Sequence, residues 1–375
     1  MELPIIDVIG VAPIGEPQPL AKAPAGVSAL KSEDLEQTGA SGLAGALERR
    51  LPSVAITEAS GNSLQQSLSY RGFEASPVEG TPQGVAVYQN GVRLNEAFGD
   101  TVNWDFVPLS AVGRVEVGGN NPAFGLNALG GAVRLKMKDG FTWQGTEIEA
   151  MGGSYGRLAG SFQHGRRIGD AAAYFAIEGL RDQGFRRSSA SAIRRFYGDV
   201  GLKIDTGEVH LNIAAADNVF GASAAAPLEL LRRDWAAIYT TPQTTRQQMG
   251  LVNLTADLRP APNWSVAANA YMRGLLRRHV DGNTTEVEAC GGGALLCFDD
   301  PGTPANGRDG AQLANIFGDA QLGQIDRTRT SSRAFGASLQ ATNTDRLFGL
   351  GNSVRFGLSV DHAQTRFTAS SELGV

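Results

Sequence analysis

The chain has 375 residues, 33 basic and 38 acidic, and is 19% charged; by length it holds about two or three domains. It has no basic stripe, which excludes nucleic acid as the expected partner, and no apolar run of about 18 residues, which excludes a membrane-spanning helix. Glycine is overused at 48 residues, above the roughly 7% share of ordinary chains, but without the strict period of a collagen.

Residues 1–26 carry five of the 16 prolines, a composition that favours extended backbone over a packed core. Within them Ile5, Ile6, Asp7, Val8, Ile9, Gly10 and Val11 form a short β-branched run, suited to joining another protein's sheet edge as an added strand. An ordinary edge strand folded back on the domain is the other reading. Met1–Pro4 shows neither a basic n-region nor an apolar h-region, so a signal peptide is expected upstream or already removed.

Residues 27–140 read as an α/β unit. A strand is predicted over Val27–Leu30, with Ser32 able to cap a helical turn. Leu43, Leu47 and Leu51 recur at helical spacing, so Gly42–Leu51 is an amphipathic helix that Pro52 stops. Strands follow at Val54–Thr57, Arg114–Val117 and Ala132–Lys136. Asn90-Gly91 between Val85–Tyr88 and Val92–Leu94 is a strong hairpin signal.

Past residue 145 the pattern becomes long alternation, as in Val354, Phe356, Leu358 and Val360 interleaved with polar or small residues. About nine such strands are predicted, several about ten residues long, which exceeds the usual strand of a soluble sandwich and suits a bilayer crossing. Short turns are expected at Ile168-Gly169-Asp170, Asp205-Thr206-Gly207, Pro260-Ala261-Pro262 and around Leu350-Gly351; long loops are expected at 182–194, 217–247 and 281–327. Short turns on one side and long loops on the other mark an antiparallel outer-membrane β-barrel.

Cys290 and Cys297 enclose CGGGALLC within the last long loop. Such a pair is a disulfide staple, a metal half-site or two unrelated thiols; zinc would need further Cys or His nearby, and the four histidines are scattered, so a bond is expected and no metal site. The glycines at 118–131 do not make a phosphate loop, because no Lys-Ser/Thr follows and they lead into a strand. No Ser/His/Asp set or paired carboxylates stand out, so neither an enzyme nor a cofactor is expected.

Four ordered blocks, Leu68–Phe73, Val85–Val92, Val112–Val117 and Phe124–Val133, resemble the plug domain of TonB-dependent outer-membrane receptors. The resemblance, extended by the alternating strands, covers nearly the whole chain. It implies a TonB box at Ile5–Val11, a linker to residue 26, a plug over 27–140 and the N-terminal portion of a barrel over 141–375. It further implies a monomer in the outer membrane of a Gram-negative bacterium, surrounded by its lipids, binding a ligand such as a ferric siderophore from outside. TonB and its inner-membrane motor complex would supply the work by strand addition to the box. Ligand contacts are expected in the plug turns at Arg71, Phe73, Glu74, Asn95, Glu96, Phe98, Asn103 and Trp104, for which plug–barrel packing or plain surface is the alternative. Arg114 and Glu116 are expected in plug–barrel ion pairing.

Import competes with two other functions: ligand capture or signalling without transport, and a truncated copy with no function. Nine strands fall short of the roughly 22 that surround a plug in transporters of this kind, so the barrel is expected to be incomplete and unable to close by itself.

Overall fold

The computed structural model describes residues 8–10, 12–15, 18–19, 26–40, 42–58, 61–119, 121–221, 225–299 and 303–375. Of the N-terminal run, Ile5, Ile6, Asp7 and Val11 lie outside these. The first described piece is a minimal hairpin, β1 (Val8–Ile9) antiparallel to β2 (Gln18–Pro19).

The α/β unit follows. Strand β3 (Ser28–Lys31) leads into helices α1 (Ser32–Glu36) and α2 (Leu43–Arg50), and α2 buries Leu43 and Leu47 on one face before Pro52 ends it. A three-stranded sheet is made by β4 (Val54–Thr57), β5 (Ser67–Tyr70) and β6 (Phe73–Ala75); the last two were not legible as strands in the sequence. The main plug sheet has the order β3-β9-β10-β7-β8, with β7 (Val85–Gln89), β8 (Val92–Arg93), β9 (Val112–Gly118) and β10 (Gly131–Met137). The β7–β8 hairpin turns through Asn90 and Gly91, both at positive φ (45° and 85°), as a two-residue turn of this twist requires.

The rest is one nine-stranded antiparallel meander. Its strands are β11 (Gly145–Gly152), β12 (Leu158–Ile168), β13 (Ala171–Asp182), β14 (Ser191–Ile204), β15 (Gly207–Gly221), β16 (Gln243–Ala261), β17 (Trp264–Thr284), β20 (Gly323–Asn343) and β21 (Val354–Gly374). The loop between β17 and β20 carries a separate hairpin, β18 (Val287–Cys290) with β19 (Leu295–Phe298), and the β15–β16 loop carries the short helix α3 (Leu228–Arg233). The meander does not close: β11 and β21 are its two edges.

Several boundaries differ from those expected. The long loops shrink to 183–190, 222–242 and 285–322, because the strands run on past the apolar stretch; β16 starts at Gln243 and runs through Ala261, past the expected turn at Pro260. The connection around Leu350-Gly351 is a ten-residue stretch, 344–353. Alternation is visible only where one face is apolar. Above that band both faces are polar, so the pattern fades while the backbone ladder continues.

The plug sits against the concave face of this sheet. Its core, built from residues such as Leu47, Leu68, Val87, Val115 and Leu135, is continuous with Tyr174, Tyr197, Met249 and Leu275 of the sheet wall. The convex face instead exposes a belt of apolar side chains, among them Ile177, Val200, Leu254, Met272 and Phe335.

Candidate functional site

The parallel pairing of β7 and β10 gives the plug two distinct ends. At the short-turn end, the Asn90-Gly91 turn is received by a polar wall: Asn90 Nδ2 donates to Tyr197 Oη at 3.0 Å and to Asn212 Oδ1 at 3.2 Å, and Asn253 Nδ2 donates to the Asn90 carbonyl at 3.1 Å. At the other end, β7 and β10 begin at Val85 and Gly131 beneath the long loops. There the Phe73 ring crosses Gly84 and Gly130 so closely that a Cβ at either would come within 2.6 or 2.4 Å of it. Only glycine permits that approach.

The long-loop end of the plug is apolar and open. Phe73 and Phe98 are 41% and 40% exposed, Leu126 78% and Leu129 59%. Asp100 ties the two turns together, accepting from Arg93 at 2.8 Å and from Asn127 at 2.5 Å, and Phe98 stacks on Phe367 of β21 with ring centres 5.3 Å apart. Leu126 and Leu129 were not among the expected contacts, although two leucines in a glycine-rich turn that buries neither were a readable signal.

The eight expected ligand contacts divide by burial. Arg71 is exposed at the same end, its guanidinium 5.0 Å over the Tyr70 ring and bonded to the Gly26 carbonyl at 3.4 Å. Phe73 and Phe98 belong to the open apex, and Glu74 beside them is half-buried. Asn95, Glu96, Asn103 and Trp104 are buried. Asn95 braces the hairpin, accepting from Val87 N at 2.8 Å and donating to the Val85 carbonyl at 3.1 Å, while Trp104 Nε1 donates to the Ala75 carbonyl at 2.9 Å. These four hold the plug together and in place.

Arg114 and Glu116 require a correction. Glu116 pairs with Arg114 and with Arg134, each at 3.1 Å, and all three stand on neighbouring plug strands β9 and β10. Among the described residues, the pairs that Glu116 makes with Arg114 and Arg134 are thus internal to the plug. Ion pairs from plug to wall are made by Glu96 with Arg273, both buried, and by Glu79 with Arg277 at 3.0 Å. Asp105 accepts from Asn218 Nδ2 at 2.7 Å, and the Glu178 carboxylate of the wall accepts from Ser110 N at 2.7 Å. Burial raises the carboxyls of Glu96 and Asp105, the latter to about 6, against the pull of Arg273 on the first and of Asn218 and Arg195 on the second.

The N-terminal segment meets the plug at the short-turn end. Gly10 N donates to Glu116 Oε2 at 2.8 Å, and the Arg134 guanidinium occupies the place where a Cβ on residue 10 would project. Residues Pro13–Gly15 then border a cavity of about 570 Å³ together with Asn90, Glu116, His210 and Asp257. Cys290 and Cys297 are bonded at the β18–β19 hairpin, with Cα atoms 5.8 Å apart.

A small α/β plug seated in the hollow of an up-and-down β-meander through polar contacts and a shared apolar core is the architecture of a plugged barrel. Residues 19–132 match the family model described as TonB-dependent Receptor Plug Domain, and the fold is a plug with part of the barrel of TonB-dependent receptors. Among curated proteins it is similar to the Vitamin B12 transporter BtuB of Vibrio vulnificus strain CMCP6, with 24% identity over 171 residues, 45% of this chain and 27% of that protein. It is also similar to the Vitamin B12 transporter BtuB of Vibrio cholerae serotype O1 (strain M66-2), with 32% identity over 148 residues, 39% of this chain and 23% of that protein. The match thus spans about a quarter of those relatives' length. Among solved structures, the ferripyoverdine receptor of the outer membrane of Pseudomonas aeruginosa bound to ferripyoverdine superposes with a TM-score of 0.69 at 10% identity, over 97% of this chain and 45% of that one. The ferric citrate transporter FecA in the unliganded form gives 0.57 at 13% identity, over 91% and 60%. These two share the fold.

Proposed function

We propose that this chain serves, in the outer membrane of a Gram-negative bacterium, in the TonB-dependent import of a scarce metal chelate of the ferric siderophore class. The observation that carries this reading is the polarity of the plug: an open apolar apex under the long loops, and at the opposite end an N-terminal segment from which Gly10 donates a hydrogen bond to Glu116. A ligand received at one end and a handle at the other is what transport driven from the inner side requires. The exposed apolar belt on the convex face supports a lipid environment, since a belt of that extent is not tolerated in water. A cobalamin, also a large metal chelate, is the second reading, favoured by the transported vitamin of the curated relatives.

In this reading TonB takes the run Ile5–Val11 as an added strand. Proline at Ile9 removes a backbone donor from that strand. A receptor carrying this chain with Ile9→Pro is expected to bind labelled ligand as before and to lose uptake. Uptake at the unaltered rate would overturn the import reading. Binding without uptake in the unaltered receptor would favour capture or signalling, and ferric siderophore against cyanocobalamin as probes separates the two chelates.

A further inference from the structure

The convex face of the meander carries a feature that import does not use. Strand pairing sets Arg246 of β16 directly opposite Arg278 of β17, and Arg278 directly opposite Arg329 of β20. All three point outward. Arg333 continues the row on β20, and Arg366 of β21 stands opposite Ser331, diagonal to both Arg329 and Arg333. Like charges placed directly across strands destabilise a sheet. Arg246 is compensated by Asp217 at 2.9 Å; among the described residues, Arg278, Arg329, Arg333 and Arg366 have no acidic side chain within ion-pair reach, and all four are exposed.

The height of the row is equally informative. From Trp264 to Leu276 every outward position of β17 is apolar or glycine, and Arg278 is the next outward residue. Those twelve steps span about 40 Å along the strand, or roughly 28 Å of height at a tilt of ~45°, close to the ~25 Å apolar belt of membrane barrels. On β20 the same change occurs between Phe335 and Arg333. The arginines therefore stand at the rim of the apolar belt on the long-loop side. Guanidinium groups suit bidentate phosphate contacts, and adjacent strands about 4.8 Å apart place several of them within reach of one multiply phosphorylated headgroup.

We propose that Arg278, Arg329, Arg333 and Arg366, with Arg246 at the row's end, form a docking surface for a phosphorylated glycolipid of the outer leaflet. This rests on the orientation given above, with the long loops outside. The headgroup phosphates bridge arginines that otherwise repel, while the acyl chains lie against Met272, Phe335 and their neighbours.

The test titrates a detergent-solubilised receptor carrying this chain with bisphosphorylated lipid A, dephosphorylated lipid A and phosphatidylglycerol. The unaltered chain is expected to prefer bisphosphorylated lipid A, and R278Q/R329Q to bind it about tenfold or more weakly, with R278K/R329K retaining most of the binding and dephosphorylated lipid A showing no difference between chains. R333Q/R366Q is expected to show the same loss, and circular dichroism confirms that each variant is folded. Equal binding of bisphosphorylated lipid A by the unaltered chain and both glutamine variants overturns the proposal, as does equal binding of phosphatidylglycerol. Surface labelling of a cysteine placed at Leu228 in whole cells tests orientation separately, so a wrong orientation is distinguished from an absent lipid site.

Discussion

Asp105 shows how a single buried group governs the seating of the plug. Its carboxyl is raised to about 6 by burial, above the 3.8 of a free aspartate, so the docked plug holds a proton that the released plug loses between about pH 4 and 6. Docking is therefore strongest below that window, weakens as pH rises through it, and is level above it; the shift of roughly two units corresponds to at most about 3 kcal/mol. In a urea titration followed by Trp104 fluorescence, with the other tryptophans replaced, the unaltered chain should release its plug at lower urea at pH 7 than at pH 4.5. Asp105→Asn, which keeps an acceptor for Asn218, should flatten the difference; an unchanged slope would assign the pH dependence elsewhere. At Glu96 the logic is that of a buried pair: Glu96→Ala strands the Arg273 guanidinium, 6% exposed, and should weaken docking by about 3–5 kcal/mol, read as faster hydrogen exchange across β7 and β8.

Among the elements, the β18–β19 hairpin is the clearest case of a local device. Four residues on each side pair around three successive glycines at positive φ, Gly291, Gly292 and Gly293, and the Cys290–Cys297 bond closes the turn. Closing so short a loop is worth about 2–3 kcal/mol on the chain-entropy account. Thiol labelling of the unreduced chain should find neither cysteine free, and Cys290→Ser with Cys297→Ser should speed proteolysis within 285–322 while leaving β17 and β20 protected. The plug sheet depends on backbone approach of the same kind: a Cβ at Gly131 would fall 2.1 Å from the Gly118 carbonyl of β9.

For the whole molecule the deciding fact is the open meander. Nine strands leave β11 and β21 as edges, and each unpaired backbone group in lipid costs several kcal/mol. Expressed by itself, this 375-residue chain should give no heat-modifiable band of a closed barrel and should support no ligand uptake. A compact heat-modifiable species would show that the edges find partners. The plug, by contrast, rests on the wall through hydrogen bonds and ion pairs together with an apolar core shared with Tyr174, Tyr197, Met249 and Leu275.

The sequence by itself determined the two-part plan, the α2 helix, the Asn90-Gly91 hairpin and the antiparallel meander of nine strands. Each of these is written in local chemistry: leucines at helical spacing, an Asn-Gly pair able to take positive φ, and alternation that one apolar face imposes. The Cys290–Cys297 bond was favoured over a metal half-site or two unrelated thiols because no further Cys or His lies nearby to complete a metal site, and the structure has it. What only the tertiary structure decided were the relations between distant residues. Glu116 found Arg134 within the plug and Gly10 of the N-terminal segment, Glu96 found Arg273 across 177 residues of chain, and Asn95, Asn103 and Trp104 are buried. The arginine row on the convex face belongs here too, because cross-strand register alone brings residues 246, 278 and 329 side by side. Residue types and spacing set which local shapes are cheap; which charge faces which is fixed only when strands far apart in sequence are locked into register.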